Sequence, residues 1–179
     1  PRLRALGHAG VPTLYHPSTG AVVGGSTDCV AFVDDHFGTP HQLIPQDDTL
    51  RQAAQRCEHL LLSFFTFQFY SMLLRQEPEE QETAKRKLIC ATEQLVQDYQ
   101  GPFYLGNQFS VADIAMAPYF DRMIVLHHYR NFQVPTNTTS GAQWQEWSNN
   151  VLKRPSVAAT RRDRARFVEP FNPHAHCYV

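Results

Sequence analysis

Long apolar runs are missing from this chain. No stretch reaches the ~18–20 residues that a bilayer span needs. The nearest, residues 60–74, is broken by Ser63, Thr66, Gln68 and Ser71. No signal-peptide pattern opens the chain, and the first residue is Pro1, so the sequence is expected to begin inside a longer polypeptide. Charge is also scarce. Only 18% of residues are charged and the formal net charge is −1, which excludes a dedicated nucleic-acid binder. The basic run Arg161, Arg162, Arg164 and Arg166 is interrupted by Asp163 and reads as a solvated helix end. Cysteine is limited to Cys29, Cys57, Cys90 and Cys177, without CxxC spacing. Their plain reading is buried free thiols in a reducing compartment, the cytoplasm. Metal-ligand spacing is lacking too. His127 and His128 are adjacent and cannot face one ion from a helix, and His174, His176 and Cys177 offer only a loose tail site, so no metal is expected. Asn137-Thr138-Thr139 fits a glycosylation sequon that a cytoplasmic chain does not use.

What is present divides near residue 40. Residues 11–15 and 21–23 are short β-prone runs joined by Pro17, Ser18, Thr19 and Gly20, which reads as a hairpin. Ser26 starts a helix through about Phe37, with Val30, Val33 and Phe37 on one face. Gly38 to His41 reads as a linker. Beyond it the chain reads as all helix. Asp47 or Asp48 caps a helix from about Thr49, whose stripe is Leu50, Ala53, Ala54, Cys57, Leu60, Leu61 and Phe64. Beyond Phe64 the apolar residues spread around the helix, which must then be covered on more than one side. Pro78 opens the next helix, with Leu88, Thr92, Leu95 and Tyr99 inward and Gly101-Pro102 as its stop.

The sharpest local signal is Ser110-Val111-Ala112-Asp113. It predicts a capping box, with Ser110 at the N-cap and Asp113 reaching back to the Ser110 amide. That helix runs toward His127 with Pro118 inside it, where the missing donor predicts a kink. After a polar loop at residues 131–141, Trp144 and Trp147 lie on one helix, and Ser156 is expected to cap a last one through about Arg166. The tail, residues 167–179, is expected to be irregular.

Taken in order, these pieces resemble soluble glutathione transferases. The resemblance rests on Gly10-Val11-Pro12-Thr13-Leu14, Gly25-Ser26 through Phe32-Val33-Asp34, Leu43-Ile44-Pro45, Phe103-Tyr104-Leu105-Gly106 through Asp113, Ala117 to Arg122, and Arg154-Pro155-Ser156-Val157. It covers about residues 10 to 160. Within the family the chain is most similar to the omega and lambda branches and to trypanosomatid thiol-dependent reductases with tandem units.

The resemblance implies a fold and a chemistry. The fold is α plus partial α/β: the C-terminal part of a thioredoxin-like domain at residues 1–38, lacking its first strand–helix–strand, a linker at 39–46, and an all-helical domain at 47–179. Val11-Pro12 matches the family's Val–cis-Pro step, which offers its backbone to the cysteinyl part of glutathione. Ser26 matches the serine that binds the γ-glutamyl carboxylate, with Gly25 and Thr27 beside it. A helix N-terminus suits an anion on physical grounds alone. The family has an acidic residue or Gln before that serine, and here it is Gly25. Phe64, Phe67, Gln68, Tyr119 and Met123 are the expected second-substrate pocket, between the first and third helices of the bundle. Ser110 and Asp113 are expected to serve folding.

The catalytic residue is expected upstream of this sequence and no residue here takes that role. The implied activity is glutathione-dependent transfer or thiol–disulfide reduction: conjugation, thiol transfer or dehydroascorbate reduction. Glutathione is the co-substrate, a small electrophile or disulfide is the partner, and neither nucleic acid nor membrane is expected. A homodimer or a tandem repeat of the unit is the expected assembly. The alternative is a non-catalytic transferase-like module for subunit assembly.

Overall fold

The computed structural model describes residues 10–37, 42–161, 163 and 168–172. The chain divides into two compact units, Pro1–Gln46 and Asp47–Val179.

In the first unit, β1 (Thr13–His16) and β2 (Ala21–Gly24) pair antiparallel, with Thr13 opposite Gly24 and His16 opposite Ala21. The turn between them closes with the Gly20 amide donating to the His16 carbonyl at 2.9 Å. Helix α1 (Ser26–Phe37) follows. Its inward side is not the expected one. Val33 and Phe37 are exposed, and the buried residue is Asp34. The Asp34 carboxylate accepts the Leu43 amide at 2.8 Å and the Ile44 amide at 2.9 Å, so it ties residues 42–46 to the helix. A buried carboxylate is tolerated when backbone donors satisfy it.

The second unit is helical. Helix α2 (Asp48–Leu60) starts at Asp47, whose carboxylate accepts the amides of Thr49 and Leu50 at 2.9 and 3.0 Å. It runs into a π turn, Leu61–Phe65, and on into α3 (Thr66–Leu74). The π turn takes in one extra residue, so Phe65 rather than Phe64 reaches the core. Phe65 is fully buried and Phe64 only partly so. The turn is closed by Thr66, whose amide and hydroxyl both donate to the Leu61 carbonyl, the hydroxyl at 2.7 Å.

Helix α4 (Pro78–Leu95) begins at its proline, as expected, but stops before Tyr99. Helix α5 (Val111–Arg130) continues unbroken through Pro118. Helix α6 (Thr139–Lys153) starts inside the expected polar loop. The short α7 (Pro155–Ala158) has Arg154, not Ser156, at its N-cap, because Pro155 already occupies the first helical position. Its expected continuation to Arg166 fails at Ala159, and residues 162 and 164–167 lie outside the described ones. A 3-10 turn at Glu169–Phe171 replaces part of the expected irregular tail.

The core of this unit is aromatic. The Phe120 ring lies 4.9 Å from both Trp144 and Trp147, and Tyr104 lies 5.0 Å from Trp147. Arg130, at the end of α5, reaches across to the end of α3. Its guanidinium donates to the carbonyls of Met72 at 3.1 Å, Leu73 at 2.5 Å and Arg75 at 3.4 Å, which are orphan acceptors at a helix C-terminus. Among the described residues, no helix is long and apolar enough to cross a membrane.

Candidate functional site

The open end of the hairpin brings two of the expected site segments together. The β1–β2 ladder continues one step past Thr13 and Gly24, and the Gly25 amide donates to the Pro12 carbonyl at 3.0 Å. Val11 therefore lies next to the start of α1. It is 88% exposed, and Gly25, Ser26, Thr27 and Asp28 are exposed too. The Val11–Pro12 peptide bond is cis, and so is Gly101–Pro102. The Cys29 amide bonds back to the Gly25 carbonyl at 3.0 Å. The amides before it are the anion-seeking end of the helix.

Gly25 has φ +99°, a conformation that an L side chain adopts only under strain. Glycine stands there for backbone reasons. A Cβ built on it would lie 3.6 Å from Asp28 Oδ2. Asp28 thus supplies a carboxylate close to where a side chain at position 25 would begin, a residue that the sequence reading passed over.

The expected pocket residues of the helical unit are spread over the π turn, α3 and α5. Tyr119 is partly buried, and its hydroxyl lies 2.8 Å from Thr66 Oγ1 at the end of the π turn. The Tyr119 ring packs edge-on against Phe65 at 5.6 Å, and the Arg122 guanidinium sits over it at 5.7 Å. Phe64 and Met123 are partly buried against the core. Phe67 and Gln68, neighbours in sequence, part company: Phe67 is 62% exposed and Gln68 only 4%. Thr66 was missed. A threonine amid Leu61, Leu62, Ser63, Phe64 and Phe65 carries no sign of a π turn.

Asp113 is the hub of the helical unit and is fully buried. The capping box with Ser110 is formed, and the Ser110 amide and hydroxyl lie 2.8 and 3.1 Å from Asp113 Oδ2. Oδ1 accepts the Tyr104 amide at 2.9 Å and Trp147 Nε1–H at 2.7 Å. Burial pushes its carboxyl above the ordinary 3.8, against the pull of these donors. Its place is structural.

Of the described cysteines, Cys57 is a buried free thiol as expected, whereas Cys90 is not buried. Cys57 is fully buried beside the Tyr104 hydroxyl, and burial pushes both groups up, which makes this thiol inert. Cys29 is half-buried and its thiol donates to the Val23 carbonyl at 3.4 Å. Cys90 is exposed, because it lies on the outer side of α4, with the Gln94 amide 3.6 Å from its sulfur. Cys177 lies outside the described residues. No group of three or more His, Cys, Asp or Glu is placed to hold a metal ion among the described residues.

Residues 42–150 match the family described as glutathione S-transferase, C-terminal domain. This chain belongs to that family. Protein IN2-1 homolog A of Oryza sativa subsp. japonica is 31% identical over 147 residues, 79% of this chain and 56% of that protein. Glutathione S-transferase L2, chloroplastic, of Arabidopsis thaliana is 29% identical over 90% of this chain and 52% of its own length. Among solved structures, glutathione transferase Omega 3C from Trametes versicolor superimposes with a TM-score of 0.79 at 25% identity, covering 94% of this chain and 72% of that one. The chain thus spans between half and three fifths of the length of these two relatives. The transferase-type fold, a thioredoxin-like piece followed by a helical domain, agrees with the expectation.

Proposed function

We propose that the protein is a glutathione-dependent transferase or thiol–disulfide reductase of the omega–lambda type. The observation that carries this is the Gly25–Pro12 hydrogen bond of 3.0 Å, which sets the Val11 backbone beside the exposed N-terminus of α1. In this reading residues 1–38 bind glutathione, 39–46 link, and 47–179 form the helical domain. The Val11 N–H and C=O hold the cysteinyl backbone of the tripeptide. The α1 amides and the hydroxyls of Ser26 and Thr27 take the γ-glutamyl carboxylate. Asp28 answers the ammonium of the same group, a task for which Gly25 has no side chain. Phe64, Phe67, Tyr119 and Met123 meet the second substrate, while Gln68, expected among them, is buried.

The chemistry is nucleophilic attack by a thiolate. On a disulfide, one S–S bond breaks as another forms and the leaving thiolate takes up a proton. On an electrophile, a C–S bond forms as the bond to a leaving group breaks, or as the π pair of an activated double bond moves to the neighbouring carbon and takes up a proton. No side chain described here is assigned the attacking role: Cys57 is buried, the Cys29 thiol is engaged with Val23, and Cys90 lies on the outer side of α4 in the helical unit. A reducing compartment such as the cytoplasm suits free thiols.

The test is retention of the full-length protein on immobilised glutathione, with release by free glutathione, alongside thiol transfer to a small disulfide. Retention is expected in the parent and lost in Ser26→Ala. Failure of the parent both to bind and to transfer thiol or conjugate an electrophile overturns the proposal.

A further inference from the structure

Two histidines of the first unit lie close together. His16 closes β1 and His36 lies in the last turn of α1. Their ring centres are 5.7 Å apart. With metal–nitrogen bonds of about 2.0–2.1 Å and about 1.1 Å from ring nitrogen to ring centre, two imidazoles on one ion have their centres about 5 Å apart at a tetrahedral angle and about 5.7 Å apart at an angle near 130°. The observed separation matches the wider angle.

Both rings are also fixed through the same nitrogen. His36 Nδ1 lies 2.9 Å from the Phe32 carbonyl, which can only accept, so Nδ1 carries the proton and Nε2 keeps a lone pair. His16 Nδ1 lies 2.8 Å from Thr19 Oγ1. That oxygen can accept from it, and His16 then also presents a bare Nε2. A ligating histidine typically hands its other N–H to a carbonyl or similar acceptor, which sets tautomer and orientation. Phe32 adds a wall: it stacks on His36 at 3.9 Å and meets His16 edge-on at 5.6 Å. His36 is exposed and His16 half-buried, so an ion can enter from solvent.

The geometry points to a two-imidazole site for a divalent transition ion, Zn²⁺ or Cu²⁺, bridging Nε2 of His16 and His36. The ion staples the hairpin to the end of α1. With no third His, Cys, Asp or Glu gathered among the described residues, water completes the coordination and the ion exchanges. Imidazole nitrogen is the donor these two ions favour.

The experiment titrates the chelator-treated protein with Zn²⁺ alone and Cu²⁺ alone by calorimetry at pH 7.5. The background carries His174→Gln, His176→Gln and Cys177→Ser, so the tail cannot compete. One equivalent is expected, with the dissociation constant raised at least about tenfold in His16→Gln and equally in His36→Gln. Circular dichroism of each variant without metal establishes that it is folded, and Thr13→Val, on the same strand but off the pair, is expected to bind as the parent does. No stoichiometric binding in the background protein, or binding unchanged in either histidine variant, overturns the site and marks any uptake as adventitious.

Discussion

Truncating Asp113 to alanine tests how the helical unit is held together. The carboxylate takes four hydrogen bonds: from the Tyr104 amide at 2.9 Å, the Ser110 amide at 2.8 Å, the Ser110 hydroxyl at 3.1 Å and Trp147 Nε1 at 2.7 Å. The hydroxyl can turn elsewhere, but the three N–H donors are fixed in a buried site. At about 1–3 kcal/mol for each unsatisfied donor the loss is bounded at roughly 3–9 kcal/mol. A water entering the vacated space returns part of this, leaving about 3–5 kcal/mol. That is a large share of the ~5–15 kcal/mol that holds a native domain. Asp113→Asn retains an acceptor for Tyr104 and Trp147 but sets an NH₂ against the Ser110 amide, so about 1–3 kcal/mol is expected there.

Urea denaturation followed by tryptophan fluorescence measures both variants, and Trp147 itself reports on the site. An alanine variant as stable as the parent, or an asparagine variant less stable than alanine, refutes the reasoning. Burial raises this carboxyl above 3.8, so folding favours its neutral form. Its contribution is complete below about pH 3.8 and declines as pH rises through the raised folded value. The stability gap between parent and Asp113→Asn should therefore narrow as pH rises from about 4. A gap that widens instead would show that the four donors outweigh burial.

Other sites give shorter tests. Gly141→Ala should destabilise by roughly 1–3 kcal/mol, because the added Cβ falls 1.7 Å from the Pro135 carbonyl oxygen, a backbone atom that cannot swing aside. The helix-propensity gain of about 1 kcal/mol is too small to offset that clash, and an unchanged urea midpoint would disprove the contact. Arg130→Leu should cost about 1–2 kcal/mol by removing the charged donor from the Met72, Leu73 and Arg75 carbonyls. Arg130→Lys should recover less than half, since a point charge cannot reach three acceptors, and full recovery of the urea midpoint would refute this. Alkylation followed by mass spectrometry should find Cys90 modified in the native protein and Cys57 only after unfolding. Equal native rates at the two would contradict the burial of Cys57.

The features legible in advance were those with a local chemical signature. Asp47 before an apolar stripe, Pro78 at a helix start and Ser110 three residues before Asp113 each act within one turn of backbone, so each shows in a few consecutive letters. The hairpin and α1 were readable for the same reason. The features that escaped depend on partners far along the chain. Nothing near Asp34 announces that its carboxylate holds Leu43 and Ile44, and nothing near Arg130 announces the carbonyls of α3.

For this protein the sequence alone determined the order of elements and the family they compose, because periodicity, caps and turns are set by neighbours. Tertiary structure decided the rest. The π turn at Leu61–Phe65 exchanged Phe64 for Phe65 in the core and brought Thr66 to Tyr119. Burial made Cys57 inert, while Cys90 stayed open to solvent. Pairing across the hairpin set Val11 beside Ser26. Each of these turns on which distant groups exclude water from one another, and a linear order of residues does not contain that.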